Sequence, residues 1–387
     1  MTHATPPAAD LKMQRSSRDA TTVPRRLADW LATLLPAGAE PEVALLSGID
    51  ANGMSSETLV LDATWTDEDG SRATRPYVAR VAPAPQDFPV FPTYALQDQY
   101  DAMRLVAELS DVPVPTVGFM EPTGEVLGTP FFLMDRVEGV IPQDVLPYNF
   151  GDNWLHDATP AEQRRLQDAT VKVVADLHAI PDAQRTFAFL NQQSLDPQQP
   201  GDTPLARNLA RTRAWYDFAV ADIGRSPLTE RGLDWLEAHL PEAEAAGSGD
   251  VVLCWGDSRI GNVIYRDFAP VAVLDWEMAT IGPRELDVSW MVFAHMVFES
   301  ITGVMGMPGM PDFLYEGDVT ATYEELTGVT LGDLTWFHLY NAVQWCIVFM
   351  RTGARSIHFG EIERPDDIET LMHHKLLMES ILERAGA

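Results

Sequence analysis

Two short apolar segments that each lead to a carboxylate constrain this chain more than any other feature. Val251–Trp255 precedes Asp257, Val271–Asp275 ends on a second carboxylate, and Asn262 lies in the turn between them. Segments of β-branched and aliphatic residues predict buried strands, and loops at strand ends are where folds present ligating and catalytic groups. The pattern therefore predicts a cleft that contains two carboxylates and one amide.

These side chains suit phosphoryl transfer with magnesium. Mg²⁺ keeps several waters and is held by one or two protein carboxylates together with phosphate oxygens. Phosphoryl transfer depends on positioning and charge neutralisation more than on covalent chemistry. In this interpretation Asp257 accepts the proton of an acceptor hydroxyl, while Asn262 and Asp275 hold the metal. Each residue alone is also typical of an ordinary β-turn, and it is their combined spacing that favours a site.

Length and charge limit the class of protein. A chain of 387 residues exceeds the usual single core and is expected to form two compact units. The formal net charge of −30, from 27 Lys and Arg against 57 Asp and Glu, argues against a nucleic-acid binder. It suits cationic small substrates or plain solubility. The longest apolar runs are about half the ~20 residues that span a bilayer, and the N-terminus lacks a signal-peptide core, so we expect a cytoplasmic protein that binds no membrane.

Strand and helix signals predict the domain organisation. Residues 1–42 form an arm and a helix, and alternating apolar residues predict strands and one helix over 43–138. Residues 139–387 show helical periodicity on either side of the predicted site. We therefore predict an α+β chain with a small β-rich lobe followed by a larger, mostly helical lobe.

Several motifs resemble the aminoglycoside phosphotransferase and choline kinase-like family. The segments Trp255–Asn262 and Val273–Glu277 are similar to its signature, and the resemblance covers roughly residues 43–295. It implies a two-lobed protein-kinase-like fold, with a small antiparallel N-lobe that binds nucleotide and a larger helical C-lobe. It also implies ATP and Mg²⁺ as cofactors and a small-molecule hydroxyl as substrate. By position, the implied roles are a catalytic Asp257, the magnesium ligands Asn262 and Asp275, and a structural Asp287.

The nucleotide side departs from the family pattern at two positions. Arg80 stands where a phosphate-binding Lys is expected, and Gln99 stands where a Glu would pair with that Lys. Arg grips phosphate as a planar fork rather than as a point charge. The loop Gly48–Ser55 nearly matches a phosphate-binding loop, but Met54 replaces its Lys and a strand follows. A glycine-rich flap over phosphates and an ordinary hairpin both remain open. The predicted nucleotide-binding residues are Ser55 and Ser56 under the flap, Arg80, and Met134, Asp135 and Val137 in the hinge between the lobes.

The acceptor is the least constrained part of the prediction. Glu361 and Glu363 are candidate substrate contacts, although a solvated charged surface explains them more simply. The leading hypothesis is an ATP-dependent small-molecule kinase that acts on an aminoglycoside-like compound or a metabolic alcohol such as choline, a sugar or a hydroxyacyl compound. The alternative, motivated by Arg80 and Gln99, is a nucleotide-binding pseudokinase that senses or scaffolds. The oligomeric state stays open.

Overall fold

The chain divides into two compact units, which we call the first and the second unit. The computed structural model describes residues 16–46, 55–144, 147–191, 203–241 and 250–386, so most of the predicted flap lies outside the described residues. The first unit comprises Met1–Gln97, Val117–Arg136 and Thr352–Arg364, and the second comprises Asp98–Thr116, Val137–Arg351 and Pro365–Ala387. The domain bounds 1–42, 43–138 and 139–387 stay a prediction.

The first unit contains a five-stranded antiparallel sheet with the order β1-β2-β3-β5-β4. Burial alternates from residue to residue along β2, because successive side chains point to opposite faces of a sheet. The sheet confirms the α+β class and the antiparallel pairing that the sequence predicts. Its strands are β1 (Glu42–Leu45), β2 (Glu57–Thr66), β3 (Arg72–Val81), β4 (Val117–Glu121) and β5 (Phe131–Asp135).

An amphipathic helix packs against one face of this sheet. Helix α1 (Val23–Leu34) has Pro24 in its first turn, where a missing N–H costs nothing. Its buried residues recur every four positions and join the core formed by β2, β3 and β5. Burial of each such aliphatic side chain contributes about 1.5–3 kcal/mol. The helical residues in this core are Val23, Leu27 and Leu31.

The segment before α1 is anchored by a buried ion pair. Arg18 Nε donates to Oε2 of Glu57 at 3.0 Å, with side-chain exposures of 8% and 2%. The same guanidinium donates to Thr129 Oγ1 at 3.0 Å and to the carbonyls of Leu127 and Ala82. Because an isolated buried charge is costly, this pairing fixes the segment to the start of β2.

The second unit is mostly helical and contains two short antiparallel strand pairs. β6 (Val252–Cys254) pairs with β9 (Thr280–Gly282), and β7 (Val263–Arg266) pairs with β8 (Ala269–Val273). Among the described residues, no helix has the length and apolar character needed to cross a membrane. The remaining helices of the chain are α2 (Leu96–Leu109), α3 (Pro160–His178), α4 (Ala183–Thr186), α5 (Pro204–Ile223), α6 (Pro227–Ala238), α7 (Glu285–Val304), α8 (Glu316–Thr327), α9 (Thr335–His358) and α10 (Lys375–Ala385).

Proline and a capping side chain begin three of the long helices. In α3, α5 and α6 a proline occupies the first turn, and the residue before the helix accepts a backbone N–H from that turn. This combination satisfies one of the unpaired donors of the helix N-terminus. The capping residues are Thr159, Thr203 and Ser226.

Candidate active site

The two strand pairs position the three residues that the sequence predicts as the base and the metal ligands. β6 leads directly to Asp257, and the hairpin β7–β8 places Asn262 before one strand and Asp275 after the other. Leu274 N donates to Asn262 O at 2.8 Å, and Asn262 Nδ2 donates to Asp257 O at 3.0 Å. Hydrogen bonds therefore connect the loop that carries Asp257 to both ends of the hairpin.

One oxygen of Asp257 is fixed and the other is available. Oδ1 accepts from Arg259 Nε at 2.9 Å and from Trp290 Nε1 at 2.7 Å. Within the described ranges, Oδ2 accepts no hydrogen bond, and the residue is 9% exposed. Two donors on one oxygen hold the carboxylate plane in place, which leaves the second oxygen free to take a proton from a ligand.

Arg259 joins Asp257 to a second carboxylate. Its Nε contacts Asp257, and its NH1 donates to Asp144 Oδ2. Burial alone lowers the pKa of Arg259, but the nearby Asp144 and Asp257 carboxylates outweigh burial and raise it. A permanent positive charge therefore lies against the candidate base. The sequence interpretation gave Arg259 no role, although its position two residues after Asp257 was visible.

The backbone before Asp257 is held by a buried carboxylate. Asp287, in the first turn of α7, accepts from Trp255 N at 2.7 Å and from Gly256 N at 2.8 Å. It also contacts His178 Nε2 at 3.1 Å, and both side chains are fully buried. These contacts fix the backbone just before Asp257 and support the structural role that the resemblance implies for Asp287. We call residues 255–262 the candidate catalytic loop.

His178, Cys254 and Asp287 lie close enough together to bind a metal ion, but their polar atoms serve the scaffold. His178 Nδ1 contacts Tyr323 Oη at 2.8 Å, and Nε2 contacts Asp287. Burial raises the pKa of the Cys254 thiol well above its ordinary value, which disfavours the thiolate that a metal needs. The arrangement is a hydrogen-bonded support for the loop.

Only glycine fits at position 256 in this loop conformation. Its φ is +89°, and a Cβ there would lie 2.1 Å from the carbonyl oxygen of Met278. Next to it, the indole N–H of Trp255 donates to Leu274 O at 2.8 Å. The indole therefore ties the loop to the residue preceding Asp275, which is a positioning role.

Asp275 and Asn262 fit a magnesium ion in ligand type. Asp275 has a φ of +59°, a region that few residues other than glycine adopt and that Asp and Asn tolerate best. A strained backbone of this kind is common where a side chain must be aimed at a ligand. Nδ2 of Asn262 is used as a donor, which leaves its Oδ1 as the ligand atom. Carboxylate and amide oxygens are the hard donors that Mg²⁺ prefers.

Most of the predicted nucleotide-binding residues lie at or near the ends of strands in the five-stranded sheet. Arg80 is buried on β3, opposite Thr58 of β2 and Phe132 of β5. Ser56 is buried immediately before β2, and Ser55 is half-buried. Their assignment to nucleotide binding stays a prediction.

The remaining predicted residues are divided between the two units. Met134 is buried and Asp135 exposed at the end of β5, in the first unit, whereas Val137 belongs to the second. Glu361 is half-buried and Glu363 exposed, and both follow α9 within the first unit. Their roles also stay predictions. Gln99 is buried on α2.

Comparison with known proteins decides the family. The model of the phosphotransferase enzyme family matches residues 61–304. The chain belongs to this phosphotransferase family. It is similar in structure to a candidate aminoglycoside phosphotransferase from Ralstonia eutropha, with a TM-score of 0.63 and 20% identity, covering 94% of this chain and 98% of that one. The predicted protein-kinase-like fold is confirmed by these two findings.

Two further similarities place this phosphotransferase among diverse relatives. The structure of APH(2")-IIIa in complex with GDP and kanamycin has a TM-score of 0.51 and 12% identity, covering 92% of this chain and 98% of that one. An Arabidopsis thaliana protein named Probable acyl-CoA dehydrogenase IBR3 is 26% identical over 242 residues, which are 58% of this chain and 27% of that protein. The chain thus spans about a quarter of the length of the curated relative it matches.

Proposed function

We propose that this member of the phosphotransferase family is an ATP-dependent kinase that transfers the γ-phosphate to a hydroxyl of a small molecule. The observation that carries the proposal is the state of the Asp257 carboxylate. Oδ1 is held by Arg259 and Trp290, and Oδ2 accepts no hydrogen bond from any described residue. A carboxylate with one fixed and one available oxygen suits a group that orients a hydroxyl and accepts its proton.

The reaction is a single displacement at phosphorus. The acceptor oxygen forms a bond to the γ-phosphorus, and the bond from that phosphorus to the β,γ-bridging oxygen breaks. The electron pair of the broken bond leaves with ADP, and the hydroxyl proton passes to Oδ2 of Asp257. Asn262 and Asp275 would hold Mg²⁺, which supplies neutralisation of phosphate charge when it is bound.

The first unit supplies all of the proposed nucleotide contacts except Val137, which belongs to the second unit. Arg80 provides a fixed positive charge for phosphate, because a guanidinium stays protonated at any physiological pH. Ser55 and Ser56 provide hydroxyl and backbone donors next to the predicted flap, and Met134, Asp135 and Val137 are the proposed adenine contacts. Because a structural neighbour was solved in complex with GDP, phosphate transfer is measured with GTP as well as with ATP.

A transfer assay across hydroxyl compounds tests the proposal. The panel contains kanamycin, choline, simple sugars and hydroxyacyl compounds, the last because a relative is named an acyl-CoA dehydrogenase. Wild type is compared with Asp257→Ala, and Asp168→Ala, which loses a partly exposed carboxylate paired with Arg164, serves as the matched control. We expect one class to be phosphorylated and Asp257→Ala alone to lose transfer while it still binds ATP. Nucleotide binding without transfer to any compound would favour the pseudokinase alternative.

A further inference from the structure

The guanidinium of Arg259 has donors that the protein does not use. Nε donates to Asp257 and NH1 donates to Asp144. An arginine carries five N–H groups in a planar fork, and the NH2 nitrogen of Arg259 donates to no residue in the described part of the chain. The side chain is 14% exposed. A nearly buried cation with an unused donor edge therefore lies beside the carboxylate that is proposed to receive the proton.

The position of this cation is fixed by a second carboxylate. Asp144 accepts from NH1 through Oδ2, and its side chain is 31% exposed. Its Oδ1 is buried and has no hydrogen-bond partner among the described residues. Because the pairs Arg259–Asp257 and Arg259–Asp144 use different edges of the fork, the guanidinium can rotate little about its own axis. Asp144 acts on the site through Arg259 and does not contact Asp257 itself.

The candidate catalytic loop leaves space for this arrangement at Gly261. A Cβ at that position would lie 2.6 Å from Asp144 Oδ1 and 2.7 Å from Arg259 NH1. Both distances are shorter than real Cβ contacts, so a larger residue would displace the ion pair. The orientation of the Arg259 guanidinium is therefore set by its ion pair with Asp144 and by the absence of a side chain at Gly261.

We propose that Arg259 is a further catalytic residue, whose free NH2 edge contacts the phosphoryl group as it moves from ATP to the acceptor, and that Asp144 is its positioning residue. Negative charge is spread over the equatorial oxygens of the phosphoryl group during transfer. Donors that are already in place when this charge develops stabilise it more than mobile ones do. An arginine that contacts both the base and the phosphoryl group would also align the acceptor oxygen with phosphorus. The inference rests on the proposed function.

A binding experiment tests the inference without an acceptor. The affinity for ADP with Mg²⁺ is measured with and without aluminium fluoride, which mimics a phosphoryl group in transfer. Wild type is compared with Arg259→Ala, Arg259→Lys and Asp144→Asn. Arg213→Ala is the matched control, because Arg213 also bridges two carboxylates, those of Asp234 and Glu237, on helices away from the candidate catalytic loop.

The expected result is a selective loss of the fluoride effect. Aluminium fluoride tightens ADP binding to wild type and to Arg213→Ala. In Arg259→Ala this tightening falls by about 100-fold, while the affinity for ADP alone stays within error. Arg259→Lys recovers part of the effect. In Asp144→Asn the tightening by aluminium fluoride falls by about ten-fold, because the positive charge of Arg259 remains but is no longer held in position.

Three results of the binding experiment overturn the inference. One is an equal tightening in wild type and Arg259→Ala. Another is no tightening in wild type. The third is a parallel loss of ADP affinity and melting temperature in Arg259→Ala, which marks a purely structural ion pair. The hydroxyl panel judges the proposed function separately. Transfer that survives Arg259→Ala undiminished overturns this inference alone. A fluoride effect in wild type, combined with no phosphorylation of any compound in the panel, overturns only the proposed function.

Discussion

Two arginine–carboxylate pairs, one in each unit, use the same chemistry for different purposes. Arg18 and Glu57 are 8% and 2% exposed, and each nitrogen of the Arg18 guanidinium donates to the protein. Arg259 and Asp257 are 14% and 13% exposed, and within the described chain each keeps an atom without a hydrogen bond. All three nitrogens of Arg18 are used within the protein, although Oε1 of Glu57 is buried without a hydrogen-bond partner among the described residues. An arginine whose nitrogens all donate to the protein stabilises the fold, whereas an arginine with an unused nitrogen can bind a further group. The use of the guanidinium donors therefore separates a structural arginine from a reactive one more clearly than burial does.

The largest combined loss of stability and phosphate transfer is expected at Asp287, which supports the backbone before Asp257. Asp287→Ala leaves the backbone N–H groups of Trp255 and Gly256 and the ring of His178 without their acceptor. Loss of a buried charge partner and of several hydrogen bonds costs about 3–5 kcal/mol. We expect phosphate transfer to fall by about 100-fold or more. Urea unfolding and steady-state kinetics measure both effects.

Asp287→Asn separates the contribution of the negative charge from the contribution of the hydrogen bonds at this position. The amide keeps one oxygen as an acceptor but presents N–H groups to a neighbouring donor. An intermediate loss of both stability and transfer is therefore expected. Unchanged transfer in Asp287→Ala would contradict the idea that this carboxylate positions the loop.

Loss of the Arg18–Glu57 pair is expected to lower stability and to leave the chemical step unchanged. Arg18→Ala leaves the Glu57 carboxylate buried without its partner, which costs about 3 kcal/mol. The turnover number of the folded protein should remain near the wild-type value. Arg25→Ala is the control, because its ion pair with Asp29 is fully solvated at 88% and 72% exposure and such pairs contribute little. A loss of turnover in Arg18→Ala at unchanged stability would remove the distinction between the two pairs.

A smaller, pH-dependent effect is expected at His374, in the second unit. Burial lowers the pKa of His374 to about 4. Its Nε2 donates to Ala342 O at 3.0 Å, and its Nδ1 is buried with no partner among the described residues. Between about pH 6.5 and pH 4 the unfolded chain binds a proton that the folded chain does not. Stability is therefore fully present above pH 6.5 and decreases as the pH falls.

The variant His374→Gln isolates the pH dependence of stability that His374 causes, since the glutamine amide can still donate to the carbonyl of Ala342. Between pH 7 and pH 5 the wild type should lose about 2 kcal/mol more unfolding free energy than the variant. His239→Gln, at an exposed position on the surface, should behave as wild type. Parallel pH curves for wild type and His374→Gln would show that this histidine is not buried in its neutral form.

Local patterns predicted the parts of the structure that depend on near neighbours. The strands around Asp257 and Asp275 follow from short apolar runs, and the spacing of Asn262 placed it in the same turn. The family resemblance correctly implied the protein-kinase-like fold. These features are visible because a strand and its following loop are encoded within about ten residues.

The contacts that complete the site come from distant residues. Asp144 lies 115 positions before Arg259, and Trp290 lies 33 positions after Asp257. Arg18 belongs to a segment that the sequence predicts as part of an arm, yet it pairs with a carboxylate 39 residues away. No periodicity encodes such pairs, because they arise when separate elements pack together. Local patterns likewise do not fix whether Arg80 contacts nucleotide or whether Glu361 and Glu363 contact substrate, so these roles stay predictions.

Phosphate transfer by wild type and Asp257→Ala, measured side by side with the best acceptor of the hydroxyl panel, tests the central claim most directly. A general base contributes about 10²–10⁴-fold, and Asp257 also orients the acceptor. We therefore predict that the variant loses at least that factor in turnover number, while its affinity for ATP and its melting temperature stay close to those of wild type. Turnover in Asp257→Ala within a few-fold of wild type would contradict the account.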